Sequence, residues 1–266
     1  MPVNLQTTDM KHGIRITFLG TGTSQGVPVI ACECDVCIST DAKDKRLRSS
    51  VLVESSTTSV VIDTGPDFRY QMLRESVKKM DAVVFTHEHR DHIAGLDDIR
   101  AFNFKQGQSI PLYCTAAVEK AIRRDFHYAF AETKYPGVPD MHIVPIQENP
   151  FMVGDIPFLP IQVMHYKMPV LGFRIHNFTY ITDASFIADE ELNKVKGSDI
   201  VVLNALRKQT HISHFNLEQA LQVMDYLKPE RGYFTHISHL LGLHHQVQEE
   251  LPPNIQLAYD GLTIEI

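Results

Sequence analysis

The sequence predicts an α/β protein in which two β-sheets are faced by helices. Three observations predict it. Short apolar runs of strand length recur along the whole 266-residue chain. Helical segments alternate with them only imperfectly. The middle of the chain, from Ile143 to Ile181, reads as strand after strand, which does not suit a doubly wound sheet.

Taken in order, β-rich runs open the chain at Ile14–Leu19, Ser50–Glu54 and Ser59–Ile62. Between the first two lies a Gly-rich turn, Gly20 to Gly26, followed by a segment carrying three cysteines. That turn either brings backbone N–H groups near a phosphate or is simply a tight turn. Asp67–Lys78 reads as a helix, and Ala82–Phe85 is fully apolar, as expected of a strand covered on both faces. Pro111–Cys114 is another apolar strand, and Thr115 is placed to cap a helix running to about Phe130. The β-only middle comprises Ile143–Ile146, Phe158–His165, Gly172–Ile175 and Phe178–Ile181. Ile200–Leu203 is a further buried strand. Asn216 and Gln219 form a capping-box-like start, after which Leu217, Ala220, Leu221, Met224 and Leu227 keep helical spacing. A short strand then ends at Thr235. The tail carries one more helix and a predicted hairpin, Ile255–Ala258 with Leu262–Ile266, turned by Asp260-Gly261. Neither an internal repeat nor a linker-like tract breaks this run, so a single domain over 1–266 is expected.

Bulk composition narrows the functional classes. With 44% hydrophobic and 21% charged residues the chain is globular rather than disordered. Its net charge of −7, with no offsetting block of Lys or Arg, argues against nucleic acid as a partner. No apolar run is long enough for a transmembrane helix, so no membrane partner is expected. Met1–His12 is polar and lacks the apolar core of a secretory signal, which makes a cytoplasmic location the expectation. A homodimer is left open.

The chemistry concentrates in Thr86-His87-Glu88-His89-Arg90-Asp91-His92, directly after a buried strand. Imidazole and carboxylate are good ligands for zinc, manganese and iron, and a loop at a strand's C-terminal end can aim them at adjacent ions. This His-x-His-x-Asp-His run resembles the motif of the metallo-β-lactamase superfamily. The remaining pattern follows in order: Asp63 matches a buried aspartate that orients the ligand loop, and His165, Asp183 and His236 match the later ligands. Singly, each of these is an ordinary strand-end residue. The resemblance covers Ile16 to Ile264 and implies an αββα sandwich and a hydrolase with two catalytic divalent metals (Zn, Mn or Fe). It implies His87, His89 and His165 on one ion, Asp91, His92 and His236 on the other, and Asp183 on both. Asp91 and Asp183 are thereby also catalytic carboxylates.

Cys32, Cys34 and Cys37 offer three thiolates in six residues, a zinc-selecting pattern in a chain without secretory features. Cys114 and His239 are the candidates for a fourth ligand. Cys114 sits in an apolar strand, where a cysteine is usually a small buried hydrophobe. His239, three residues past His236, is better placed. The Cys-x-Cys-x-x-Cys insertion with His-x-x-His resembles the PhnP branch of the superfamily, cyclic phosphodiesterases of phosphonate degradation. It implies a structural zinc on the insertion near 32–37, and hydrolysis of small, typically cyclic phosphodiesters through a metal-bridging hydroxide.

An alkoxide leaving group also needs a proton. The resemblance implies a non-ligand histidine shortly before the final strand, and spacing to His236 favours His214 over His211. The plainer reading of His214 is packing beside the helix start. The rival functions are a ribonuclease Z-like tRNA-processing nuclease, a thiolesterase or lactonase of the same fold, and a non-catalytic zinc-binding scaffold. The acidic balance and the lack of a long Gly- or Lys-rich arm weigh against the nuclease.

Overall fold

The computed structural model describes residues 13–266, so the polar segment at 1–12 lies outside the described residues. The strands run β1 (Arg15–Gly20), β2 (Ser50–Glu54), β3 (Ser59–Ile62), β4 (Ala82–Val84), β5 (Ile110–Cys114), β6 (Met141–Pro145), β7 (Phe151–Val153), β8 (Ile156–His165), β9 (Met168–Ile175), β10 (Phe178–Tyr180), β11 (Phe186–Ile187), β12 (Ile200–Asn204), β13 (Arg231–Thr235), β14 (Ile255–Leu257) and β15 (Thr263–Glu265). The helices are α1 (Asp35–Ile38), α2 (Phe68–Arg74), α3 (Arg90–Ile93), α4 (Arg100–Gln106), α5 (Ala116–Asp125), α6 (Asp189–Val195), α7 (Leu217–Leu227) and α8 (His244–Glu249).

The strands form two sheets. One is seven-stranded in the order β15-β1-β2-β3-β4-β5-β6; the other is eight-stranded in the order β11-β8-β9-β10-β12-β13-β14, with β7 beside β8. Each sheet has an antiparallel half and a parallel half. In the first, β3, β4, β5 and β6 pair in parallel; in the second, β10, β12, β13 and β14 do.

Strict alternation explains the layering. Val60 and Ile62 enter the core between the sheets, whereas Val61 joins the helices outside the first sheet. Likewise Ile200 and Val202 face the other sheet, and Val201 and Leu203 pack under α7 with Ala220 and Met224. The result is an αββα sandwich. Phe158 and Phe173 meet edge-on at 5.8 Å in its centre, and truncating Phe173 to Ala would cost about 3–5 kcal/mol. Among the described residues no helix is long and apolar enough to cross a membrane.

Three expectations need correction. Ile255–Leu257 and Thr263–Glu265 do not form a hairpin. β14 pairs in parallel with β13, while β15 pairs antiparallel with β1 in the other sheet. The intervening Asp260 accepts from the Thr21 and Leu47 N–H groups, so the turn is spent on crossing between sheets. The helix expected to reach Lys78 stops at Arg74, because Ser76 turns left-handed (φ 54°). The Ser76 and Val77 N–H groups then bond the Leu73 and Met72 carbonyls, a Schellman closure. The helix capped by Thr115 ends at Asp125 and tightens into a 3-10 turn at His127–Phe130. The capping box on α7 forms as expected, with Asn216 and Gln219 bonding reciprocally.

Candidate metal centre

The candidate ligands sit at the C-terminal ends of strands. Asp63 follows β3, the His87–His92 loop follows β4, Asp183 follows β10 and His236 follows β13; His165 ends β8. Parallel strands put these ends on one edge of each sheet, so residues far apart in sequence converge. Asp63, Asp183 and His236 all have left-handed backbones, at φ 65°, 58° and 56°. Each such non-glycine residue costs of order 1–3 kcal/mol, held by the surrounding structure.

Asp63 organises the ligand loop. Its fully buried carboxylate accepts from the Thr86 N–H (2.9 Å), the Thr86 hydroxyl (2.8 Å) and His92 Nδ1 (2.7 Å). One side chain therefore grips both ends of the loop. The backbone adds two ties: the Thr64 N–H to the His92 carbonyl (2.7 Å) and the Gly95 N–H to the Thr64 carbonyl (2.8 Å). This approach needs glycine on both sides. A Cβ on Gly65 would strike the Asp91 carbonyl, and one on Gly95 would strike the Gly65 carbonyl.

The imidazoles gather closely. Ring centroids are 4.1 Å apart for His87 and His92, 4.7 Å for His87 and His89, and 5.1 Å for His89 and His165. Asp183 lies at the centre. Its Oδ2 is 3.3 Å from His92 Nε2 and 3.2 Å from His236 Nδ1, and Asp91 Oδ2 is 3.2 Å from His92 Nε2. Asp183 belongs to three sets of mutually close donor atoms: with His87 and His92, with Asp91 and His236, and with His165 and His214. His89 joins the cluster through its ring contacts.

This donor set fits divalent cations. His87 Nε2 is buried without a hydrogen-bond partner, which is costly unless something else binds it, and His92 Nε2 faces the Asp91 and Asp183 carboxylates. The opposite ring nitrogens are already engaged: His87 Nδ1 with the Thr86 hydroxyl (2.9 Å), His92 Nδ1 with Asp63, and His165 Nδ1 donating to the Ser213 carbonyl (2.8 Å). Such partners fix the tautomer and leave Nε2 to coordinate. Electrostatics agree at His87 and His236. Burial pushes the His87 pKa well below the ordinary value, so its imidazole is neutral with a lone pair free. Burial likewise takes His236 down to about 4. Burial opposes charge on His92 too, but Asp91, Asp183 and Asp63 outweigh it and hold its pKa well above normal. Burial opposes ionisation of Asp183 and Asp91 as well, and the neighbouring His236 and His92 reverse that, leaving both carboxyls well below the usual range.

A second cluster lies at the cysteine insertion. Sγ of Cys32 and of Cys34 lie 3.3 Å from His239 Nδ1, and Sγ of Cys37 lies at 3.6 Å. Zinc bonds of about 2.3 Å to sulfur and 2.0–2.1 Å to nitrogen in a tetrahedron would separate S and N by about 3.5 Å, so the four atoms match a closed zinc site. The Cys37 backbone N–H and His239 lower the Cys34 thiol to about 6, whereas burial raises Cys37 to about 11. Cys114 is elsewhere: fully buried on β5 among Leu112, Val118 and Ile122, its thiol raised to about 12 by burial. His236 and His239 share one segment, so the two clusters are mechanically joined.

His214 stands inside the first cluster, with Nε2 3.1 Å from Asp183 Oδ1 and its ring stacked 4.9 Å from His236. His211 is one shell out, with Nδ1 3.1 Å from His214 Nδ1. Three N–H groups of the Gly-rich turn are spent within the fold. The Gly22, Thr23 and Gly26 N–H groups bond Leu47, Ile237 and Thr23 carbonyls. Instead the turn supplies the Thr23 hydroxyl, 3.3 Å from His236 Nε2. Sequence reasoning passed over the hydroxyls of Ser49 and Thr182, each 3.3 Å from His236 Nδ1, and of Thr86. Thr86 and Thr182 directly precede His87 and Asp183, the only sequence signal that marks them.

Comparison with known proteins agrees with this geometry. Residues 58–237 match the β-lactamase superfamily domain. The crystal structure of a diphosphatase from the PhnP family superposes with a TM-score of 0.89 at 40% identity, covering 95% of this chain and 98% of that one. An octanoyltransferase of Porphyromonas gingivalis is 38% identical over 252 residues, 94% of this chain but 51% of that protein. Human tRNase Z, short form, shares the fold with a TM-score of 0.67 at 18% identity, covering 94% of this chain and 98% of that one. The chain spans about half or less of the length of the curated relatives it matches.

Proposed function

From the premise that this chain belongs to the metallo-β-lactamase superfamily, and within it to the PhnP family, we propose that it is a dinuclear metal-dependent hydrolase of small, cyclic or linear, phosphodiesters. The observation that carries this reading is the convergence of His87, His92, His165, Asp91, His236 and His214 on one carboxylate, Asp183. His87, His89 and His165 would hold one cation and Asp91, His92 and His236 the other, with Asp183 shared. Zinc, manganese and iron all suit these donors. Bound there, the cations would supply a water nucleophile at neutral pH and neutralise charge on phosphoryl oxygens.

The chain's own residues do the rest. Asp63 and Thr86 lock the His92 and His87 rings with Nε2 inward. Asp183 sets the spacing of the two donor groups. His214 holds a proton at Nε2, 3.1 Å from Asp183, and delivers it to the leaving oxygen. Cys32, Cys34, Cys37 and His239 would hold a structural zinc that ties the beginning of the chain to the segment bearing His236.

The PhnP-family neighbour is a diphosphatase, so a phosphoanhydride belongs in the substrate panel. A second reading, hydrolysis of an acyl thioester, is favoured by the octanoyltransferase relative. Metal-loaded chain should be assayed on bis-p-nitrophenyl phosphate, a ribose cyclic phosphate, a nucleotide diphosphate, an octanoyl thioester and a tRNA precursor. Turnover of the phosphodiesters at the highest kcat/KM supports the proposal. Exclusive turnover of the thioester or the tRNA precursor overturns it.

A further inference from the structure

Beside His87 the two sheets part to leave a cleft of about 640 Å³, which lies within the size range of small-molecule sites. Its floor is apolar, with Ile146 and Leu171. Its walls carry Glu88, Glu148, Gln147, Asn149 and Gln162. None of these five side chains makes a hydrogen bond or ion pair, so a full set of acceptors faces the cleft unspent. A third carboxylate, Glu119, is bound to Arg123 at 2.7 Å and contributes no net charge. No lysine or arginine lines the cleft. Of the candidate metal ligands only His87 lines it, so the cleft borders the candidate metal centre at that residue.

An organic substituent that runs from a bound phosphoryl group past His87 would enter a cleft that repels anions. Two unpaired carboxylates attract a cation, and the three amides offer oxygens to its N–H donors. Resting on the hydrolase reading above, we propose that this cleft binds the organic part of the substrate and selects one that carries a primary ammonium group. The same field disfavours polyanionic substrates, in which further phosphates would enter the cleft.

Two p-nitrophenyl phosphodiesters, with 2-aminoethyl and with ethyl as the second ester, report the same phenolate and differ only at the ammonium. The aminoethyl ester should show about fivefold higher kcat/KM at low salt, carried by KM, and the advantage should shrink as salt screens these partly exposed charges. Glu148→Lys should abolish the preference while leaving metal content unchanged; Glu148→Gln should halve it. A wild-type ratio within twofold of one, or a preference that survives Glu148→Lys, overturns the proposal. Calorimetric binding of O-phosphoethanolamine against ethyl phosphate to the metal-loaded chain separates this from the hydrolase reading. If neither ester turns over but phosphoethanolamine binds more tightly, and Glu148→Lys removes the difference, the cleft assignment stands and the phosphodiesterase reading falls. Equal binding of the two phosphates sinks the cleft assignment whatever the turnover.

Discussion

Asp63→Asn should damage metal binding far more than folding. The aspartate accepts three hydrogen bonds and donates none: Thr86 N–H on Oδ1, and the Thr86 hydroxyl and His92 Nδ1 on Oδ2. A carboxamide of the same shape keeps one oxygen. If that oxygen faces Thr86 N–H, the amide NH2 faces His92 Nδ1. His92 must then accept at Nδ1 and carry its proton on Nε2, the atom that would coordinate. The opposite flip sets the NH2 against the Thr86 N–H, so each orientation opposes donor to donor. Loss of a charge-assisted hydrogen bond is worth about 1.5–3 kcal/mol, in line with the roughly 10–100-fold loss typical when a partner of a metal-ligating histidine is removed. Zinc titration of the chelated chain by calorimetry should show that weakening at the sites around Asp183. Melting temperature should fall less than in Asp63→Ala, which strands three buried donors at about 1–3 kcal/mol each. Zinc affinity in Asp63→Asn within threefold of wild type would refute the reasoning.

Other perturbations have equally direct readouts. His214→Ala should cost about 10²–10⁴-fold on an alkyl phosphodiester and much less on a p-nitrophenyl ester, whose leaving group needs no proton; equal losses on both, or loss of metal, would remove the acid role. Cys34→Ser should lower zinc content by one equivalent and reduce thermal stability, because binding this ion is linked to folding; unchanged zinc and melting would show the cluster to be unused. His244 is held to about 4 by burial and by Arg46, whose Nη2 sits 3.0 Å from its Nδ1. Between the ordinary value near 6.5 and about 4 the unfolded chain takes up a proton that the folded one refuses. Stability therefore drops as pH falls through that window, by up to about 3 kcal/mol and less where solvent screens the ring, and it levels off below. Urea unfolding from pH 7 to 4 should show a shallower loss in His244→Gln; parallel slopes would count against this assignment.

The legible and the hidden parts of the molecule divide by range of interaction. The His87–His92 loop was readable because four donors and the strand before them lie within a dozen residues. His165, Asp183 and His236 look ordinary one at a time and became legible through their order. The fold class followed from the β-only middle, which became the long β8–β9 pair and its neighbours. The tail was misread because turn chemistry at Asp260-Gly261 is local, whereas the choice of partner for β14 and β15 depends on β13 and β1. Short helices such as α4 and α6 carry too few turns to show a period. Thr86, Thr182 and Ser49 act through single hydroxyls, which no spacing rule marks. The cleft beside His87 joins β5 and β6 to β8 and β9 across the two sheets, so it exists only once the sandwich is closed.

The most direct test of the central claim is metal-dependent turnover of bis-p-nitrophenyl phosphate by chelated and reloaded chain, with metal content measured alongside. Chelation should abolish turnover, full recovery should follow as the sites around Asp183 fill with two equivalents of zinc or manganese, and Asp183→Asn should not recover. Turnover that survives complete chelation, or that returns at wild-type level in Asp183→Asn, would contradict that claim.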